Sequence, residues 1–342
     1  MKDITNKEFV NNLKKYQSVA VIGLSKNAGK TTTLNSILKL LNYENVMLTS
    51  IGYDGEETDL IFGTGKPTIY VKKGTLIATA KKCVLSSDIQ FEILETTGFN
   101  TPLGEIIIAR CLNDGLIELA GPSYNVQLKE VIRLLKDFGD GLVLVDGALN
   151  RKTFSDPSVC EKTILCSGMT LSDDIAEVAK QTLYSLQLLS LPKVNEVDKA
   201  VIETNFINAL TIINKDNSSK QIKSSTTINQ EAKVAKELAR ESKYLLVNGP
   251  LTDKLALQLI KARNLVADLS VVVKNGTNVF IKEETFNQLT KAKIKIVVID
   301  SIDVCAISMN PNSLHKQFDS SKVVEAVAQG TNKLVCDFKK GC

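Results

Sequence analysis

One junction constrains this chain more than any other. The apolar run Ser18-Val19-Ala20-Val21-Ile22-Gly23-Leu24 passes directly into Ser25-Lys26-Asn27-Ala28-Gly29-Lys30-Thr31-Thr32-Thr33. A short, unbroken apolar run reads as a strand buried on both faces. Beyond the loop, Leu34, Ile37, Leu38 and Leu41 recur at helical spacing. Strand, glycine-containing loop, then helix is the order in which backbone N–H groups and a helix dipole converge on an anion. It requires an α/β fold in which a buried strand ends at a sheet edge and a helix starts there.

The chemistry of the loop fits a phosphate chain. Gly29 lets the backbone come close, Lys30 can reach the outer phosphates, and Thr31 can offer its hydroxyl to Mg²⁺. The spacing is unusual, because five residues rather than four separate Gly23 from Gly29-Lys30-Thr31 and Leu24 stands where the first glycine is expected. The candidate nucleotide-binding residues are Gly23, Ser25, Lys26, Asn27, Ala28, Gly29, Lys30, Thr31 and Thr32. A magnesium nucleotide also calls for carboxylates at neighbouring strand ends. Asp54 follows the second strand candidate, Glu95 ends residues 91–95, and Asp146 ends the apolar run 141–146. With Thr31 these three acids are the candidate metal ligands, and Lys30, Glu95 and Asp146 are the candidate catalytic residues. Each acid can also be read as a turn or helix-cap residue, and the sequence does not rank them.

Apolar runs alternate with amphipathic segments through the first half. Strands are expected at 45–51, 91–95, 116–120, 141–146 and 163–166, helices at 128–138 and 173–189, and a hairpin at 68–80 around Lys72-Lys73-Gly74. That alternation predicts a mostly parallel sheet with helices on both faces. Residues 1–190 are expected to form the nucleotide-binding domain, 191–230 a polar connecting segment, and 231–342 a further α/β region. Hydrophobic residues make up 44% of the chain but aromatics only 5%, with no Trp, which suits buried strands better than an aromatic binding platform. The 42 basic and 38 acidic residues are well mixed, with no basic stripe of the kind that marks a nucleic-acid partner. The seven cysteines include no Cys-x-x-Cys pair and are expected to be reduced thiols; the single histidine, His315, lies among polar residues. No apolar stretch approaches a membrane span or signal-peptide core, so a soluble cytoplasmic protein is expected.

The longer Gly-x5-Gly-Lys-Thr loop resembles that of dethiobiotin synthetase and the cobyrinate amidase-type ATPases, a branch of P-loop NTPases that includes dimers. Several blocks together resemble the KamB family, a subunit of the reactivase for a cobalamin-dependent lysine aminomutase. They are residues 25–31, Ser50-Ile51-Gly52-Tyr53-Asp54-Gly55-Glu56, Glu95-Thr96-Thr97-Gly98-Phe99-Asn100-Thr101-Pro102-Leu103-Gly104-Glu105, Glu118-Leu119-Ala120-Gly121-Pro122-Ser123, and Val145-Asp146-Gly147-Ala148-Leu149-Asn150-Arg151. The resemblance implies a P-loop NTPase fold, ATP and Mg²⁺ as cofactors, and chaperone-like reactivation of the mutase with a second reactivase subunit. The likeness of the loop to the dethiobiotin synthetase branch implies a homodimer. Glu95 resembles the Glu that ends a central strand in dethiobiotin synthetase. Residues 52–59 and 96–105 are the candidate loops for sensing the γ-phosphate. Two other functions remain open: an ATP-dependent small-molecule ligase or kinase, and a nucleotide-binding regulatory protein without turnover. The usual guanine-recognition motif is missing from its usual place, which favours ATP over GTP.

Overall fold

The computed structural model describes residues 6–52, 68–147, 157–264, 266, 268–313 and 315–340. In chain order the first elements are α1 (Asn6–Leu13), β1 (Ser18–Gly23), α2 (Lys30–Leu40), β2 (Val46–Ser50), β3 (Ile69–Val71), β4 (Leu76–Ala80) and α3 (Lys81–Leu85). Then come β5 (Phe91–Thr101), β6 (Gly104–Cys111), β7 (Gly115–Ile117), α4 (Asn125–Asp137), β8 (Leu142–Asp146), β9 (Lys162–Gly168) and α5 (Ile175–Leu189). The middle stretch carries α6 (Glu196–Asn205), β10 (Leu210–Asn214), β11 (Ser219–Gln221), α7 (Glu231–Glu237), β12 (Ser242–Val247), β13 (Leu251–Thr252) and α8 (Asp253–Lys261). It continues with β14 (Ser270–Val273), β15 (Val279–Phe280), α9 (Glu283–Lys291) and β16 (Lys295–Val298). The chain ends on β17 (Val304–Asn310), α10 (Ser320–Ala328) and β18 (Leu334–Cys336).

The architecture is α/β, in two compact units. The first combines Met1–Ser185 with Asp303–Cys342, and the second is Leu186–Ile302. The expected boundaries at 190 and 230 do not describe this division. Residues 191–230 do not form a connecting segment: they contain α6, β10 and β11. Leu210, Ile212 and Ile213 of β10 are buried, and apolar side chains of that kind hold a strand inside a sheet. Residues 303–342 return to the first unit because β17 is an apolar strand that pairs with β9.

The first unit holds a nine-stranded sheet in the order β18-β17-β9-β1-β8-β2-β4-β6-β5. Every pairing from β18 through β4 is parallel, and β6 pairs antiparallel with both β4 and β5. All of β1 is buried, which places it at the sheet centre with both faces covered. Leu34, Ile37 and Leu38 of α2 pack with Phe9 and Leu13 of α1 and with Val19 and Val21 of β1 in one core. The second unit has a five-stranded sheet, β11-β10-β12-β14-β16, with β12, β14 and β16 parallel. One of its cores joins the strands to Val234, Leu255, Leu259 and Leu289 of α7, α8 and α9, and another joins them to Ile202 of α6.

Three local expectations change. The hairpin at 68–80 does not form: β3 pairs with β7, while β4 enters the main sheet beside β2. All five residues of β4 are buried, so the strand needs neighbours on both sides, which a two-stranded hairpin does not supply. The strand expected at 91–95 runs on to Thr101 and forms a hairpin with β6, so 96–105 is strand and turn rather than a loop at the nucleotide edge. Finally, Cys83, Cys111, Cys160, Cys166 and Cys305 are free thiols but Cys336 is disulfide-bonded, which departs from the expectation of reduced thiols throughout. Among the described residues no helix is long and apolar enough to cross a membrane.

Candidate functional site

The parallel strands β2, β8, β1, β9 and β17 end on one edge of the sheet. The register brings Gly23 opposite Cys166, Asn310 opposite Gly168, and Asp146 opposite both Val21 and Ser50. The loop between β1 and α2 sits on this edge and is fastened at three points. The Leu24 N–H donates to the Cys166 carbonyl at 3.0 Å, continuing the β1–β9 ladder. The Ser25 and Thr170 hydroxyls share a hydrogen bond of 2.7 Å. The Asn310 side-chain amide donates to the Asn27 carbonyl at 2.9 Å.

Two glycines explain the spacing of the motif. Gly29 has φ +91°, a left-handed conformation that favours glycine, and it caps α2 with no side-chain hydrogen bond. The first N–H groups of α2 therefore face the loop without a side-chain cap. Gly23 serves a different purpose. A Cβ there would stand 2.9 Å from Cγ of Lys30 and 3.0 Å from its Cδ. The Lys30 stem thus folds back across the end of β1, and only a residue without a side chain leaves it room. Thr31 is half-buried, whereas Lys26, Asn27 and Thr32 are exposed and Ala28 is buried.

A cavity of about 580 Å³ opens over the loop. Residues 26–33 line one wall; Ser308–Asn312, Gln317 and Asp337–Lys340 line the other. Four lysines, Lys26, Lys30, Lys339 and Lys340, face it against one acid, Asp337. That acid is already engaged, accepting from the Ser320 hydroxyl at 2.7 Å and from the Lys339 N–H at 3.1 Å. The net charge of the wall suits an anionic ligand.

Beneath the loop lies a buried polar knot. The Thr33 and Ser308 hydroxyls are 2.6 Å apart, and the Cys166 thiol donates to Thr33 Oγ1 at 3.5 Å. Burial pushes the Cys166 thiol up to about 12. The hydrogen bond with Thr33 and the positive charge of Lys30 act against that shift, while the charge of Asp146 adds to it. Lys30 at the start of α2 and Asp146 at the end of β8 thus act on the same thiol. Cys166 stays a neutral donor that ties α2 to β9.

The three candidate acids separate. Asp146 ends β8, the immediate neighbour of β1, and is half-buried at the edge where the loop lies. Glu95 is not part of this site. It lies on β5, five strands from β1, or about 24 Å at ~4.8 Å per strand. Its strand is the antiparallel edge of the sheet, not a central one, so its carboxylate can neither bind a metal held by Thr31 nor act on a phosphate held by Lys30. Asp54 lies outside the described residues, as does most of 52–59. Among the described residues no group of three His, Cys, Asp or Glu side chains could hold a metal by itself. Thr31 with Asp146 fits Mg²⁺ that is bound mainly through phosphate and water, the usual arrangement for that ion.

Sequence reasoning missed the wall formed by β17 and the residues around Asp337. A signal was present: the run Val304-Cys305-Ala306-Ile307-Ser308-Met309 ends in Asn310-Pro311-Asn312, again an apolar strand followed by a polar turn. Comparison with models of known families, with curated protein sequences and with solved structures returns no match.

Proposed function

We propose that the chain is an ATP-binding P-loop NTPase that reactivates a cobalamin-dependent lysine aminomutase. The observation that carries the nucleotide part is the Lys30 stem laid over Gly23 at the mouth of a lysine-rich cavity, beside an α2 N-terminus without a side-chain cap. The loop amides and Lys30 hold the phosphates, while Thr31 and Asp146 hold Mg²⁺, which offsets phosphate charge when bound. The wall of Pro311, Asn312, Gln317 and Phe338 receives the base and ribose. Hydrolysis on such a frame is positioning and charge stabilisation, with a water oriented by Asp146 or its neighbours. The mutase and the second reactivase subunit come from the resemblance of the motif blocks alone. A homodimer rests on the loop spacing alone.

The placement of Glu95 bears on the alternatives. It removes one of the two likenesses to dethiobiotin synthetase, the strand-ending Glu, and leaves the loop spacing of Gly23 to Thr31 as the other. It also leaves Asp146 as the one candidate acid among the described residues beside the loop, which favours nucleotide binding without turnover as the second reading. The test is ATP hydrolysis by the protein alone and with inactivated aminomutase, with recovery of mutase activity followed in parallel. ATP-dependent recovery that Lys30→Ala abolishes supports the reactivase. Hydrolysis dependent on a small dicarboxylate or amine, without any protein partner, overturns it in favour of a ligase. Binding with no hydrolysis and no recovery leaves the regulatory reading.

A further inference from the structure

Asn310 occupies an unusual position between the two walls of the cavity. Its backbone is fixed by pairing with Gly168 and by the Met169 N–H, which donates to its carbonyl at 2.9 Å. Its side-chain Oδ1 accepts from the Asn312 N–H and from Asn312 Nδ2, both at 3.1 Å. A backbone N–H can only donate, so Oδ1 must face Asn312 and Nδ2 must face the Asn27 carbonyl. The orientation of the amide follows from the network.

This orientation fixes one peptide plane. With the Asn27 carbonyl turned onto Asn310, a trans peptide directs the Ala28 N–H the opposite way, across the loop. There it lies 3.4 Å from the Ser25 carbonyl, beyond the usual range for such a bond and so only weakly engaged. Asn27 itself is at φ +61°, a left-handed conformation that asparagine takes more readily than other non-glycine residues. The Asn310 Cβ also packs 3.4 Å from where a Cβ on Gly29 would stand.

We propose that Asn310 is a positioning residue for the phosphate chain. It locks the Asn27–Ala28 peptide so that the Ala28 N–H points across the loop, where an anion would compete with the Ser25 carbonyl for it, and it does not read the base. This rests on the nucleotide-site reading above. The test is calorimetric binding of Mg-ATP and of inorganic tripolyphosphate, which has no base, to wild type, Asn310→Ala and Asn310→Asp, with melting of each ligand-free protein. Asn310→Ala loses three hydrogen bonds, the one to the Asn27 carbonyl and the two from Asn312, so its melting temperature is expected to fall; loss of the bond that sets the donor is expected to weaken both ligands by the same factor, about tenfold. Asn310→Asp keeps the shape and the acceptor for Asn312 but turns an oxygen onto the Asn27 carbonyl. It is expected to bind both ligands still more weakly, including at high salt where through-space repulsion is screened, and being isosteric it serves if the alanine variant unfolds. Unchanged tripolyphosphate affinity in both variants overturns the proposal, as does a loss confined to ATP, which would make Asn310 a base contact. A wild type that binds neither ligand overturns the nucleotide-site reading itself, and this proposal with it.

Discussion

Gly23→Ala should damage nucleotide binding far more than folding. The added Cβ would stand 2.9 Å from Lys30 Cγ, 3.0 Å from Lys30 Cδ and 3.3 Å from the Ala28 Cβ. Carbon atoms settle at about 3.5–4.0 Å, so the lysine stem must retreat by roughly 0.5–1 Å. Because Cγ is near the root of the side chain, the displacement carries to the ammonium or forces an off-rotamer χ angle, costing about 0.5–1.5 kcal/mol. A charge-assisted hydrogen bond contributes about 1.5–3 kcal/mol, so a misplaced ammonium weakens ATP by a factor of roughly 10–150. Calorimetry with Mg-ATP, alongside urea unfolding of the ligand-free protein, separates the two effects. A variant that loses stability but binds ATP as wild type does would refute the reasoning, because the Gly23–Lys30 contact would then be packing alone.

Other outcomes follow from the same geometry. Asp146→Asn should weaken Mg-ATP about tenfold or more through loss of a carboxylate beside the loop, whereas Glu95→Gln should leave ATP affinity and hydrolysis unchanged; the reverse pattern in the same titrations would put the catalytic acid on β5. Thr33→Val should cost about 1–3 kcal/mol in urea unfolding, because it strips the Ser308 hydroxyl and Cys166 thiol of a buried partner. Burial holds the Cys111 and Cys166 thiols up at about 12 and Cys305 at about 11, against an ordinary value of 9.0. Between about pH 9 and 11 the unfolded chain therefore releases protons that the folded chain keeps, and stability falls as pH rises. A urea midpoint lower at pH 10 than at pH 8 is the expected reading, and a higher one contradicts it.

The parts of this molecule that were legible in the sequence are those built from local pattern. The strand at 18–23 and the helix that follows declared themselves by apolar run and period, and the strand ending at Asp146 by its apolar run. What was not legible depends on pairing between distant residues. Nothing near Glu95 shows that β5 pairs antiparallel at the far edge of the sheet, since Phe91-Glu92-Ile93-Leu94-Glu95 reads the same in a central strand. The return of β17 to the side of β9 joins residues more than a hundred positions apart, so the wall bearing Asn310 could not be assigned to the loop it holds. Gly23 was seen as part of the motif, but its purpose, room for the Lys30 stem, is a packing fact that spacing does not reveal.

The most direct measurement is calorimetric titration of Mg-ATP into wild type and Lys30→Ala. Saturable binding by wild type, weakened at least about tenfold by loss of the ammonium, is the expected result. Equal binding by the two proteins, or none by wild type, would contradict a nucleotide site at this loop.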